Sequence, residues 1–494
     1  MFPIKKKSER FSLIEHFSSK NFDKELISHC IGCNCGCKFI AFVKDNKIID
    51  VTGHPSDRLG MGSFCTKGIA LVQELPFSDF RLKESNKLDI DFNKDIGIYV
   101  DRFCTEEELQ RAFSFTENVY SNMLYVEKPK TIEIENVPNK KVILNISEPS
   151  YYDVMLSRWI IDAKQKGAKL FSAGSIYTNM SFKANYKKLI PPFEFLSFLE
   201  NIKKAFDIGY HEDEFINKFA LFSTKLSDAL IVIEDSHIRI DKDFVFGFLK
   251  YMKEKYNIDY VITGNITHWP VKNIKEHLKD IQNHETVVNV GDMFRYIPDD
   301  QIENFSKMNI LTISHMASMS TNLSRYYLPR KFFIEMDFTK KTAFLDVSAQ
   351  KLFEKENSYT LLDIIPQIDK PISYTKSPKQ EIVKLQGYSL FMGHSLLDDI
   401  GHYSRWLHEI EPNQYVYINK TLGDSINITD GELLEITTEY GKAVLKVKIS
   451  ANIAENTFFI SDGFDEYQPF YEGVRPGVLA IDKSFSQVIK YKKL

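Results

Sequence analysis

The feature that most constrains this 494-residue chain is a run of cysteines near its start. Cys30, Cys33 and Cys37 are spaced Cys-x2-Cys-x3-Cys, and Cys65 follows after 27 intervening residues. Cys35 lies inside the loop, so four of the six cysteines fall within eight residues. Three thiolates from one compact loop plus one from afar is an arrangement that iron–sulfur clusters use. A four-cysteine zinc site more often pairs two Cys-x2-Cys knuckles, and disulfides suit scattered cysteines in an exported chain. Zinc and disulfides stand as the alternatives to a 4Fe–4S cluster on Cys30, Cys33, Cys37 and Cys65. Gly32 and Gly36 let the loop turn tightly and bring N–H groups toward the cluster sulfurs. Cys35 is expected to point away, and Cys104 to be a buried apolar residue.

Beyond the loop the pattern divides the chain. Residues 25–72 form a small cysteine-bearing unit with a β-hairpin, Phe39 to Val43 and Ile48 to Val51, turning at Asp45-Asn46. Residues 73–330 alternate apolar runs with amphipathic helices, which implies a parallel sheet covered on both faces, a Rossmann-like α/β domain. Its expected strands include Ile96 to Val100, Val142 to Ile146, Ala229 to Ile233, Thr286 to Val290 and Asn309 to Ile313. Its expected helices are 105–120, 153–166, 244–255 and 271–282. Residues 331–384 are weakly patterned and read as a link. Residues 385–494 read as a β-barrel, with a hairpin at Leu433 to Thr438 and Ala443 to Ile449. No internal repeat is evident.

Composition excludes several classes. Hydrophobic residues are 43% and charged residues 26%, a globular balance, and a net charge of −4 gives no basic surface for nucleic acid. No apolar run of about 18 residues predicts a transmembrane helix. The basic run Lys5-Lys6-Lys7 lacks the apolar core of an export signal, so a cytoplasmic location is expected, with the run a solvated tail or a docking arm. No Walker motif or Gly-x-Ser-x-Gly elbow is present.

The cysteine run, its hairpin, Gly53-His54-Pro55 and Cys65-Thr66-Lys67-Gly68 together resemble the iron–sulfur domain of the molybdopterin oxidoreductases. That superfamily includes formate dehydrogenases, nitrate reductases and formylmethanofuran dehydrogenases. The large iron–sulfur subunit of respiratory complex I is a non-catalytic relative. Leu144 to Leu170 is similar to the family's α/β domain, Tyr326-Tyr327-Leu328-Pro329 to a strand closing it, and Ile428 to Glu432 to its C-terminal domain. The resemblance implies a 4Fe–4S cluster, a molybdopterin guanine dinucleotide carrying molybdenum or tungsten, and a place between them for Lys67. On sequence alone Lys67 is equally an exposed loop lysine.

Several departures argue against a complete pterin site. Ala173-Gly174-Ser175 stands where the family has an Asp-Pro-Arg-like turn, and Glu335 to Thr339 where it has a glycine-rich stretch. Tyr125 to Pro129 occupies the metal-ligand neighbourhood, with Glu127 in place of a cysteine. Bulky residues near Phe338 are expected to narrow the cleft between α/β domain and barrel, against an open path from Lys67 past Gly174 and Gly264 to Gly431. His268-Trp269-Pro270 is a weaker candidate for lining that cleft. The expectation is an electron-transfer subunit of a redox complex. It would work beside other redox subunits and lie peripheral to a membrane only through them. The alternative is a compact catalytic molybdenum or tungsten oxidoreductase.

Overall fold

A computed structural model describes residues 22–86, 90–352, 355–368, 385–395, 397, 399–410, 412–464, 473–480 and 484–494. The basic run at residues 5–7 and residues 369–384 of the 331–384 link lie outside the described residues.

The N-terminal unit is an antiparallel sheet of β1 (Lys24–His29), β2 (Lys38–Lys44) and β3 (Lys47–Gly53). Asp45 and Asn46, at φ 49° and 56°, supply the two left-handed residues that a two-residue hairpin needs. The cysteine loop joins β1 to β2. Cys65 then caps a continuous helical stretch that runs from Thr66 to Phe77.

The α/β region holds two parallel sheets rather than the one expected. The chain enters β4 (Ile96–Val100), β5 (Val119–Ser121) and β6 (Leu124–Tyr125). It continues through β7 (Val142–Ile146), β8 (Lys169–Gly174), β9 (Tyr186–Leu189), β10 (Ala229–Glu234) and β11 (Asp259–Thr263). After β12 (Ile266–Thr267) and β13 (Lys272–Asn273) come β14 (Thr286–Val290), β15 (Asn309–Ser314) and β16 (Tyr326–Pro329). The first sheet has the order β11-β10-β7-β8-β9, the second β13-β5-β4-β14-β15-β16. Strands β4, β7, β10 and β14 are buried along their whole length, which is why each is mostly apolar, with Asn145, Glu234, Thr286 and Asn289 as the buried polar exceptions. The helix expected over 271–282 is confined to Leu278–Gln282, because Lys272 and Asn273 form the edge strand against β5 instead.

The two sheets carry a duplicated unit that the sequence hides. After β8, the N–H of Thr178 donates to the Ser181 hydroxyl at 3.1 Å, a short helix Asn179–Lys183 follows, and β9 returns parallel to β8. After β15, the N–H of Ser318 donates to the Thr321 hydroxyl at 2.9 Å, the helix Met319–Leu323 follows, and β16 returns parallel to β15. The two halves meet where β6 pairs with β12 and Asn265 Nδ2 donates to the Asn122 carbonyl at 3.4 Å.

The link contains structure of its own. Strands β17 (Phe338–Lys341) and β18 (Asp346–Ala349) form a hairpin that folds back on the N-terminal unit. Phe338 therefore packs with Phe39 and Phe333 in the core beneath the cysteine loop, not in the cleft. The hairpin tip reaches the loop itself, where Thr342 Oγ1 donates to the Asn34 carbonyl at 2.6 Å.

The C-terminal region closes into a six-stranded barrel, as its alternating pattern predicted. Its strands are β19 (Ser389–Gly393), β20 (Val416–Ile418), β21 (Leu433–Thr438), β22 (Lys442–Ile449), β23 (Thr457–Ser461) and β24 (Phe485–Lys493), in the order β19-β23-β20-β22-β21-β24. Strand β22 reads as strict alternation because one face fills the barrel and the other meets solvent.

Candidate functional site

The cysteine loop is inside the protein. Cys30, Cys33, Cys35 and Cys37 are buried, and Cys65 is half-buried at the start of its helix. Burial pushes the Cys30 and Cys37 thiols up, and takes Cys65 up to about 11. The charges of Cys33 and Cys65 add to the rise at Cys30, and those of Cys33, Cys30 and Cys65 to the rise at Cys37, so the four share one neighbourhood. Buried thiolates need a cation, and metal binding supplies one. Backbone donors are already aimed at sulfur, Gly32 N–H to Cys30 Sγ at 3.3 Å and Gly68 N–H to Cys65 Sγ at 3.4 Å.

Cys35 does not point away from Cys33. Its thiol shares a 4.8 Å neighbourhood with Cys33 and Asp153, and the hydrogen bond between the two thiols pulls Cys33 down. The backbone explains this. Asn34 between them is locked to the α/β domain, its N–H donating to Asp153 Oδ1 at 2.9 Å and its Nδ2 to Asp153 Oδ2 at 3.0 Å and the Gly264 carbonyl at 2.9 Å.

Lys67 is buried, 3% exposed, which overturns its reading as a surface lysine. Its ammonium has no hydrogen-bond partner among the described residues and lies 5.3 Å from the Tyr152 ring centre. Arg102 sits 4.3 Å over the same ring, and His394 from the barrel packs 4.3 Å from it. A buried ammonium requires an anion, and a thiolate-bound cluster beside it fits that need.

From Tyr152 inward, the cleft between the sheets and the barrel is bridged by the protein's own charges. His394 Nε2 meets Asp235 Oδ1 at 3.0 Å, and Arg239 Nε meets Asp235 Oδ2 at 3.1 Å. Burial raises Asp235, but the hydrogen bond from His394, its charge and Arg239 outweigh this and hold the carboxyl at about 2. Glu234 beside it is pushed up by burial. On the second sheet, Arg330 pairs with Asp101 at 2.8 Å and donates to Cys104 Sγ at 3.3 Å. Arg295 pairs with Asp462 of the barrel at 3.0 Å.

The strand ends have glycines where these carboxylates approach. Gly264, at φ 103°, has Asp235 Oδ1 1.9 Å from where a Cβ would stand, and Gly291, at φ 119°, has Asp101 Oδ2 at 2.7 Å. A cavity of about 30 Å³ is left at the first sheet, lined by Glu148, Gly174, Glu234, His237 and His394 among others. Another of about 30 Å³ is left at the second, lined by Asp101, Gly291, Asp292, Arg295, His315 and His402 among others.

Other expected residues fall elsewhere. Glu127 is exposed and His268 pairs with Glu106 at 3.2 Å; both border a surface recess of about 480 Å³ outside the cleft. Gly431 is an exposed turn glycine of the barrel. Sequence reasoning missed Asp153, Asp235 and His394, whose roles exist only through contacts between distant segments.

The comparisons agree with this geometry at both ends. The molybdopterin oxidoreductase Fe4S4 domain matches residues 23–75, and the molydopterin dinucleotide binding domain matches residues 399–492. Both ends of the chain thus match domains of the molybdopterin oxidoreductase superfamily. The solved acetylene hydratase from Pelobacter acetylenicus shares its fold at a TM-score of 0.61 and 11% identity, covering 92% of this chain and 95% of that one. No curated relative matches the sequence. The two matched domains are those of a 4Fe–4S cluster and a molybdopterin guanine dinucleotide. The cysteines, Lys67 and the sulfur-directed N–H groups fit the cluster. Among the described residues, Asp235 and Asp101 with their ion-pair partners stand at the strand ends of the two sheets. No helix among the described residues is long and apolar enough to cross a membrane.

Proposed function

We propose that this chain is an iron–sulfur electron-transfer subunit of a redox complex, with a reduced pterin site, in the manner of the large iron–sulfur subunit of respiratory complex I. The observation that carries the reading is the filling of the cleft by buried ion pairs, which leaves cavities of about 30 Å³ at the ends of both sheets. A small-molecule pocket is about 300–1,000 Å³.

In this reading Cys30, Cys33, Cys37 and Cys65 hold the cluster and Lys67 balances its charge from the cleft side. The cluster supplies one-electron transfer. The chain keeps water from it and tunes it through the Gly32 and Gly68 N–H groups. Residues 25–72 form the cluster unit, 73–330 the α/β scaffold, 331–384 a segment whose hairpin covers the cluster loop, and 385–494 the barrel. In this reading the subunit exchanges electrons with other subunits of a cytoplasmic complex, and any membrane anchor belongs to them.

A second reading, a compact molybdenum or tungsten oxidoreductase resembling formate or formylmethanofuran dehydrogenases, is favoured by the dinucleotide-domain match over residues 399–492. One measurement separates the two. Anaerobically purified protein should contain about four irons with matching sulfide, and no molybdenum, tungsten or pterin. Stoichiometric molybdenum or tungsten with pterin would overturn the first reading in favour of the second. Co-purification with further redox subunits from native extracts is also expected.

A further inference from the structure

In the closed cleft, we infer a site for one first-row divalent cation of the zinc type, held by Glu234, Asp235 and His394. The inference rests on the reading of the cleft as emptied of pterin.

Donor spacing is the first support. The carboxylate oxygens of Glu234 and Asp235 and a ring nitrogen of His394 all lie within 4.8 Å of one another. His394 Nε2 is 3.0 Å from Asp235 Oδ1 and 3.6 Å from Glu234 Oε1. Metal–oxygen and metal–imidazole bonds of about 2.0–2.2 Å at a tetrahedral angle separate ligand atoms by about 3.3–3.6 Å. The Glu234–His394 spacing falls in that range, and the His394–Asp235 pair needs to part by only about 0.3 Å.

Each donor is also seated from behind. Arg239 Nε donates to Oδ2 of Asp235, while Oδ1 faces His394 Nε2. The bare Gly264 gives Oδ1 its place, since a Cβ there would stand 1.9 Å from it. Glu234 Oε2 accepts the Glu148 N–H at 3.0 Å, and Oε1 accepts the Ser236 hydroxyl at 3.0 Å while facing the imidazole. Outer partners of this kind orient metal ligands.

An independent observation points at a ligand. His237 Nε2 is buried and has no hydrogen-bond partner among the described residues. Its ring is wedged 5.0 Å from Phe195 and 5.4 Å from Phe485, away from solvent. It lines the same cavity of about 30 Å³ as Glu234 and His394. That is room for at least one water molecule, which needs about 10–15 Å³. A water there completes a four-coordinate site and faces the orphaned nitrogen. On binding, the cation takes the place of the proton between His394 Nε2 and Asp235 Oδ1, which leaves to solvent. Two carboxylates, one imidazole and a water suit zinc, manganese or cobalt among the divalent metals.

The test uses the cluster-bearing protein as isolated under anaerobic conditions. Zinc, manganese and cobalt are counted beside iron, sulfide, molybdenum, tungsten and pterin. About one divalent cation per chain is expected beyond about four irons, and Co²⁺ added to protein stripped of that cation should give tetrahedral ligand-field bands. His394→Gln and Glu234→Gln should each lower bound zinc or cobalt by at least about tenfold, with iron content unchanged. Fewer than about 0.1 divalent cations per chain, with no Co²⁺ bands in wild-type protein, would overturn the site. So would variants that keep both iron and the second metal. If a variant loses iron as well, the wild-type Co²⁺ spectrum alone decides. Molybdenum or tungsten with pterin would instead sink the functional reading, whatever the zinc content.

Discussion

Replacing Asn34 with alanine tests how the cluster loop is held. The side-chain amide donates to Asp153 Oδ2 at 3.0 Å and to the Gly264 carbonyl at 2.9 Å, and alanine loses both. The backbone bond to Asp153 Oδ1 survives. A hydrogen bond to a charged group contributes about 1.5–3 kcal/mol and a neutral one about 1 kcal/mol, so the loss is roughly 3 kcal/mol. It rises no further, because Thr263 and the Gly264 N–H still donate to the Asp153 carboxylate. The bonds join the loop to the sheet and lie outside the sheet's own ladder, so the loss falls on local opening. At a factor of 10 per about 1.4 kcal/mol, opening becomes roughly 100-fold more frequent. The assay mixes anaerobic protein with an iron chelator and follows the broad visible absorption of the cluster. Its decay rate tracks the open population while reclosing outpaces chelation. A rate within about threefold of wild type would refute the idea that Asn34 pins the loop to the α/β domain.

Cys33→Ala and Cys37→Ala should each abolish the visible cluster absorption, whereas Cys35→Ala should keep about four irons; retention in the first two, or loss in the third, would show that the ligands are misassigned. Glu335→Gln strands the buried Arg81, now paired at 2.5 and 2.6 Å, and should lower stability by about 3–5 kcal/mol, while the R81M/E335L pair should cost less; denaturant titration distinguishes them. Gly209→Ala, at φ 82° with open space around it, should cost only the left-handed penalty of about 1–2 kcal/mol. Gly264→Ala adds the collision with Asp235 and should cut soluble, cluster-bearing yield severely; equal behaviour of the two variants would mean that Asp235 does not need its place.

How much of this could be read from the sequence depends on the range of the interaction. The cysteine loop, the Asp45-Asn46 hairpin and the barrel hairpin are local patterns, and each appears where expected. The two sheets were read as one because alternating strands and helices report that a sheet is parallel but not where one sheet ends. The duplicated unit escaped because its copies, Thr178 to Leu189 and Ser318 to Pro329, share a role for a hydroxyl and a returning strand rather than a residue string. The hairpin at Phe338 was missed because its apolar face is made by the N-terminal unit, about 300 residues away in sequence. The central charges were invisible for a related reason. Asp235 and His394 acquire meaning only when the barrel docks, and singly each reads as an ordinary loop residue.

The order of strands in the second sheet has a consequence for synthesis. Thr286 of β14 pairs with Ile96 of β4 across 190 positions, and the whole first sheet lies between them. On a ribosome adding about 5–20 residues per second, β4 waits on the order of 10–40 seconds for its partner. The first sheet is contiguous and can close during that wait. Every residue of Ile96–Val100 is buried in the finished protein, so until β14 emerges this strand is an apolar edge with nothing beside it but β5. A chain stalled between residues 263 and 286 would then carry one finished sheet and one half-built one, and the half-built sheet is where aggregation would begin.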